Sequence, residues 1–126
     1  MIVGLGIDLV SITRIRGLWE RYGERFAQRV LTAEEWREFD ERRRPERFLA
    51  KRFAAKEAFS KAMGTGIRGV LQWSAVGTGH DALGAPRVVV TEAVRALMDA
   101  RQVGHVWLSV SDEQEHALAC VVLERK

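Results

Sequence analysis

The residues from Glu46 to Met63 constrain this chain more than any other stretch. Pro45 can occupy the first turn of a helix, where its missing N–H costs nothing, and Gly64-Thr65-Gly66 provides the stop. At 100° per residue, Phe48, Ala55, Phe59 and Ala62 fall on one face. Ala50, Ala54, Glu57 and Lys61 fall on nearly the opposite one. A helix that is apolar on two sides is largely buried, so the rest of the chain must wrap around it. Glu57 then sits in a stripe of alanines, where an unpaired carboxylate is costly to bury. It needs a cation. Lys61, one turn later on the same face, supplies one through an i,i+4 pair. The alternative is a metal ion shared with a second carboxylate, which leaves Lys61 free for a phosphate.

A second carboxylate with space around it lies near the N-terminus. Ile2 to Val10 reads as a strand, and side chains alternate across a strand. Val3, Leu5, Ile7 and Leu9 share the face expected to meet the core, while Ile2, Gly4, Gly6 and Asp8 share the other. Glycines inside a strand mark the close approach of a ligand or of another backbone. The first case leaves Asp8 open to a ligand. The second makes Asp8 merely a cap for the following helix.

The remaining elements follow from capping and turn chemistry. Ser11 can cap a helix through about Tyr22 that ends at Gly23, and a short helix follows through Arg29. Thr32-Ala33-Glu34-Glu35 is a capping box opening a helix through roughly Arg42. Val70 to Val76 reads as a strand, Thr78 to Ala85 as a loop, and Pro86 to Val90 as a short strand. Thr91 caps a helix to about Gln102. Val106 to Val110 and Ala117 to Glu124 pair as a hairpin. With no repeat or linker, 1–126 forms one domain, and the order of elements predicts an α+β fold with antiparallel strands rather than a doubly wound parallel sheet.

Composition excludes several classes. One cysteine, Cys120, and three scattered histidines rule out disulfide frameworks and the usual zinc spacings. Met1 to Val10 is apolar, but it lacks a basic flank and contains Asp8, so it is not a signal peptide. No apolar run is long enough to span a bilayer, so neither membrane insertion nor export is expected and the cytoplasm is the expected location. The net charge is +3, with eleven arginines and one lysine between Arg14 and Arg52. That basic region suits phosphates, nucleic acid or an acidic protein. A nucleic-acid module would use the arginines but leave Asp8 and Glu57 unexplained, so nucleic acid is not the expected partner.

Three blocks together are more specific than any of these features alone: Gly4-Leu5-Gly6-Ile7-Asp8, then Phe48-Leu49-Ala50-Lys51-Arg52-Phe53-Ala54-Ala55-Lys56-Glu57-Ala58, then Lys61-Ala62-Met63-Gly64-Thr65-Gly66. Their sequence and separation resemble the bacterial holo-acyl-carrier-protein synthase family, and the resemblance covers essentially the whole chain. It implies a 4'-phosphopantetheinyl transferase that moves the arm of coenzyme A to a serine of apo acyl carrier protein and releases adenosine 3',5'-bisphosphate. It implies Mg²⁺ held by Asp8 and Glu57, with Lys61 near the coenzyme A phosphates. Arg52, Gly64-Thr65-Gly66, and Gly84 with Pro86 match segments lining the coenzyme A cleft, some from the adjacent subunit of a homotrimer. Arg14, Arg25 and Arg29 match basic positions facing the carrier protein, and Arg21 is assigned to the same surface. One departure stands out. Many relatives carry a histidine after the Ser-x-Ser of the terminal hairpin, whereas here Ser109-Val110-Ser111 is followed by Asp112.

Overall fold

The computed structural model describes residues 1–126. In chain order the elements are β1 (Ile2–Ser11), α1 (Ile12–Tyr22), α2 (Glu24–Val30), α3 (Ala33–Glu38), α4 (Pro45–Met63), β2 (Val76–His80), β3 (Pro86–Val90), α5 (Glu92–Ala100), β4 (Val103–Asp112) and β5 (His116–Arg125). A three-stranded antiparallel sheet has the order β1-β5-β4, and β2 and β3 form a separate antiparallel pair. The fold is α+β, as the order of elements predicted.

Helix α4 lies against β1 and β5 and is the axis of the core. Leu49, Ala54, Ala58 and Phe59 are fully buried along it, beside Val121 and Leu123 of β5 and Ile12 and Ile15 of α1. Burying each large apolar side chain contributes about 1.5–3 kcal/mol. Three features close the helix at its C-terminus. Gly64 takes φ 78°, a left-handed conformation costly for other residues, and its N–H donates to the Lys61 carbonyl. The Gly66 N–H returns to the Ser60 carbonyl, and Arg101 donates to that of Met63.

The two faces of β1 are the reverse of the expectation. Gly4 and Gly6 face α4, and Val3, Leu5, Ile7 and Leu9 face outward, with Leu5, Ile7 and Leu9 exposed at 66%, 57% and 64%. The cause is the closeness of helix and strand. A Cβ at Gly6 would lie 2.0 Å from the Ala58 carbonyl oxygen, and one at Gly4 would lie 2.3 Å from that of Ala62. Glycine is therefore required there by a backbone, not by a ligand.

Other boundaries also move. Helix α3 stops at Glu38 rather than near Arg42, because Phe39 turns to extended backbone and caps it. Its aromatic ring packs against Trp19, Trp36 and Phe48. Val70–Val76 is not a strand: Arg68 and Leu71 close a tight turn, and Trp73–Ala75 form a 3₁₀ turn. Strand β2 instead begins at Val76 and takes in Thr78, Gly79 and His80, where the sequence suggests a loop. Helix α5 ends at Ala100, before Gln102 turns to φ 61°. No helix is long and apolar enough to cross a membrane.

Candidate active site

Strand β1 and helix α4, distant in sequence, bring Asp8 and Glu57 to one cleft. It has a volume of about 330 Å³ and is lined also by Ser11, Arg14, Phe53 and His116. Asp8 points to the helix side of β1, two residues beyond the Gly6 contact, so the glycine packing sets its distance from α4. Ser11, the side-chain cap of α1, aims that helix so that Arg14 reaches the cleft.

The electrostatics of the cleft are strained. Burial, and then the negative charge of Asp8, push the Glu57 carboxyl above the ordinary glutamate range. The Trp73 indole and the charges of Lys61 and Arg14 pull it back only partly. No ion pair forms between Glu57 and Lys61, although they are one turn apart. The Lys61 ammonium crosses to β1, 2.9 Å from Asp8 Oδ1 and 3.1 Å from the Ile7 carbonyl oxygen. Two carboxylates repelling each other in one cleft match the donor set of a hard divalent cation. No third acidic, His or Cys ligand joins them. Mg²⁺ suits such a pair, because it commonly takes one or two carboxylates and completes its shell with water and phosphate oxygens.

The other expected residues fall in separate places. Arg14, Arg21, Arg25 and Arg29 are exposed on α1 and α2, Arg29 over the Trp73 ring and Arg21 beside Tyr22. Gly64, Thr65 and Gly66 form the turn after α4, and Thr65 donates to the Gly66 carbonyl. Gly84 and Pro86 belong to the β2–β3 hairpin, and Pro86 lines a different cavity, about 460 Å³ between that hairpin and β4. Within one chain, that cavity and the Asp8 cleft share no lining residue. Arg52 is buried, with its guanidinium 3.2 Å from Glu38 and 3.5 Å from Glu35 and stacked over Phe48. Asp112 accepts a 2.6 Å hydrogen bond from Arg47, which, with help from Lys51, holds its carboxyl below the usual aspartate range. The residue in the histidine's place thus ties the hairpin to the start of α4.

Sequence reasoning missed Glu35 and Lys56. Both are buried, and Lys56 Nζ lies 2.6 Å from Glu35 Oε1 while also donating to the Val76 carbonyl. Glu35 also accepts from the backbone N–H groups of Thr32 and Thr78. Burial pushes the Lys56 amine down against the pull of Glu35. The pair pins the start of β2, and with it the Trp73 turn, to the back of the helix that carries Glu57. The capping box names Glu35 as a helix cap, but its long-range partner leaves no local signal.

Comparison with known proteins shows the family. Residues 4–121 match the family model described as the 4'-phosphopantetheinyl transferase superfamily. The chain belongs to that superfamily. A holo-[acyl-carrier-protein] synthase of Nitrosospira multiformis is 49% identical over 99% of this chain and 100% of its own length. The crystal structure of the holo-[acyl-carrier-protein] synthase from Neisseria meningitidis superposes with a TM-score of 0.95 at 48% identity, covering 99% of this chain and 100% of that one. The holo-(acyl-carrier-protein) synthase from Bacillus anthracis, solved in complex with CoA (3',5'-ADP), superposes with a TM-score of 0.81 at 35% identity, covering 100% and 99%. As a member of this superfamily, the chain is a transferase.

Proposed function

We propose that this chain transfers the 4'-phosphopantetheine group of coenzyme A to a serine hydroxyl of apo acyl carrier protein, forming holo carrier protein and adenosine 3',5'-bisphosphate. The observation that carries the reading is the meeting of Asp8 and Glu57 in one cleft beside Lys61. Asp8 and Glu57 would hold Mg²⁺, which when bound supplies Lewis-acid polarisation of the pyrophosphate. The serine oxygen bonds to the β-phosphorus, the bond from that phosphorus to the bridging oxygen breaks, and the electron pair leaves with the bisphosphate. Charge builds on phosphoryl oxygens, so positioning and electrostatic stabilisation dominate the catalysis. Lys61 neutralises the leaving bisphosphate. The Glu57 carboxylate, which lies in the same cleft, is positioned to take the serine proton.

The exposed arginines of α1 and α2 dock the acidic carrier and speed encounter. Arg14 links that surface to the cleft. The working form is a homotrimer in the cytoplasm. Monomers rarely expose a contiguous apolar face like that of Leu5, Ile7, Leu9, Leu118 and Trp107. Packing between copies would cover it and let the segment around Gly84 and Pro86 complete the coenzyme A cleft of a neighbour, with the Gly64–Gly66 turn and Arg52 on the other side.

Incubation with apo carrier protein, coenzyme A and Mg²⁺, followed by intact-mass measurement, tests the proposal. The carrier should gain about 340 Da, the mass of one phosphopantetheine arm. Asp8→Ala and Glu57→Ala should give no gain while keeping the fold. Full transfer by Glu57→Ala, still dependent on Mg²⁺, would remove Glu57 from the metal site.

A further inference from the structure

Lys61 is bonded to the wrong partner for a simple helix pair. Its ammonium reaches across to β1 and sits on Asp8 Oδ1 and the Ile7 carbonyl oxygen. The lysine side chain is 54% exposed and the Asp8 side chain 15% exposed, so the lysine covers the aspartate from the solvent side. That carboxylate is the one a cation shared with Glu57 must use. An ammonium and a divalent cation at contact distance on the same carboxylate repel each other strongly. The lysine also has little holding it, since a half-exposed ion pair is weak.

We propose that Lys61 is a displaceable placeholder for the metal. It neutralises Asp8 while the metal is absent and leaves when the metal arrives. Its flexible four-carbon stem then delivers the ammonium to the phosphates of the substrate. This rests on the reading of Asp8 and Glu57 as metal ligands. It adds a coupling that the reading alone lacks. Metal binding releases the cation that coenzyme A needs, so the metal tightens coenzyme A binding, and coenzyme A tightens metal binding by the same factor. Removing the lysine abolishes this share of the coupling.

The test measures metal affinity on the full chain without coenzyme A, using Mn²⁺ as a paramagnetic probe. The parent is compared with Lys61→Met and Asp8→Asn, each checked for its fold by circular dichroism. Lys61→Met is expected to bind Mn²⁺ about two- to five-fold more tightly, the factor released by losing a weak competing ion pair. In the parent, saturation with Mg²⁺ should speed acetylation of the Lys61 amine by a similar factor of about two or more, read by mass spectrometry against the other lysines. The placeholder is overturned alone if Asp8→Asn loses Mn²⁺ but Lys61→Met binds it no better than the parent. Acetylation of Lys61 that stays unchanged on metal saturation overturns it too. If Asp8→Asn binds Mn²⁺ as well as the parent does, the metal is not at Asp8, and the ligand assignment falls with the placeholder.

Discussion

The contact between β1 and α4 can be tested with one methyl group. Gly6→Ala places a Cβ 2.0 Å from the Ala58 carbonyl oxygen and 2.7 Å from the Ala62 amide nitrogen. Real Cβ contacts essentially never fall below 3.0 Å, so strand and helix must separate by about 1 Å. Both obstacles are backbone, and no side chain can turn aside. Overpacking costs about 1–3 kcal/mol where neighbours can adjust. A 1 Å gap also forfeits about a quarter to a half of the dispersion energy along the seam. The expected loss is therefore at the upper end, about 3 kcal/mol. At a fixed protein concentration this lowers the urea midpoint by about 1–3 M, for m-values of about 1–3 kcal/mol/M. Asp8, two residues along the same face, moves with the strand. A misplacement of about 1 Å at a reacting centre costs on the order of 100-fold in rate. Gly17→Ala is the control, because its Cβ meets nothing within 4 Å in helix α1. It should gain about 0.5–1 kcal/mol. A Gly6→Ala midpoint equal to that of the parent would refute the packing argument, as would an equal loss in Gly17→Ala.

Three further outcomes are expected. Lys56→Met leaves the buried Glu35 carboxylate without its nearest cation and should cost about 3–5 kcal/mol in urea melts, while Glu35→Gln with Lys56→Met should cost less than the two single changes added together. The raised Glu57 pKa means that the folded chain holds that proton more tightly than the unfolded chain does. Stability from this source is full below the ordinary value of 4.5 and is lost as pH rises through the folded value. Glu57→Gln should thus melt above the parent near pH 7 in metal-free buffer and level with it below about pH 4. Charge reversal at Arg14 and Arg25 should raise the apparent KM for carrier protein, more at low salt than at high salt, and a KM unmoved at low salt would remove these residues from the docking surface.

What could be read from the sequence was governed by range. Ser11, Thr32 and Thr91 are caps, and each signal lies within three residues of its helix start, so those starts were legible. The buried nature of α4 followed from its own periodicity. The alliance of Lys61 with Asp8 did not, because local spacing points Lys61 toward Glu57 and only the tertiary approach of β1 offers a nearer carboxylate. The buried Glu35–Lys56 pair was hidden for the same reason. In Val70–Val76, β propensity suggested a strand, but the Arg68–Leu71 turn redirects the backbone before any partner strand is reached.

The reversed faces of β1 follow from a wrong premise about its surroundings. Alternation assigns the bulkier apolar side chains to the core only if the other face meets water. In β1 neither face is mainly polar: one carries glycine for contact with α4 and a single carboxylate, Asp8, and the other carries Leu5, Ile7 and Leu9. The second face continues across the sheet through Val122 to Trp107 and through Leu9 to Leu118. A strand apolar on both sides is the signature of a sheet covered on both. Within this chain, α4 covers only one. The same inference drawn from the long helix, that apolar surface on two sides demands two neighbours, therefore applies to β1, with the proposed trimer providing the second neighbour. On that reasoning the glycines and the leucines of β1 serve different layers of one active site. The glycines set how closely Asp8 approaches Glu57, and in the proposed trimer the outer apolar face would hold copies together so that each cleft is completed.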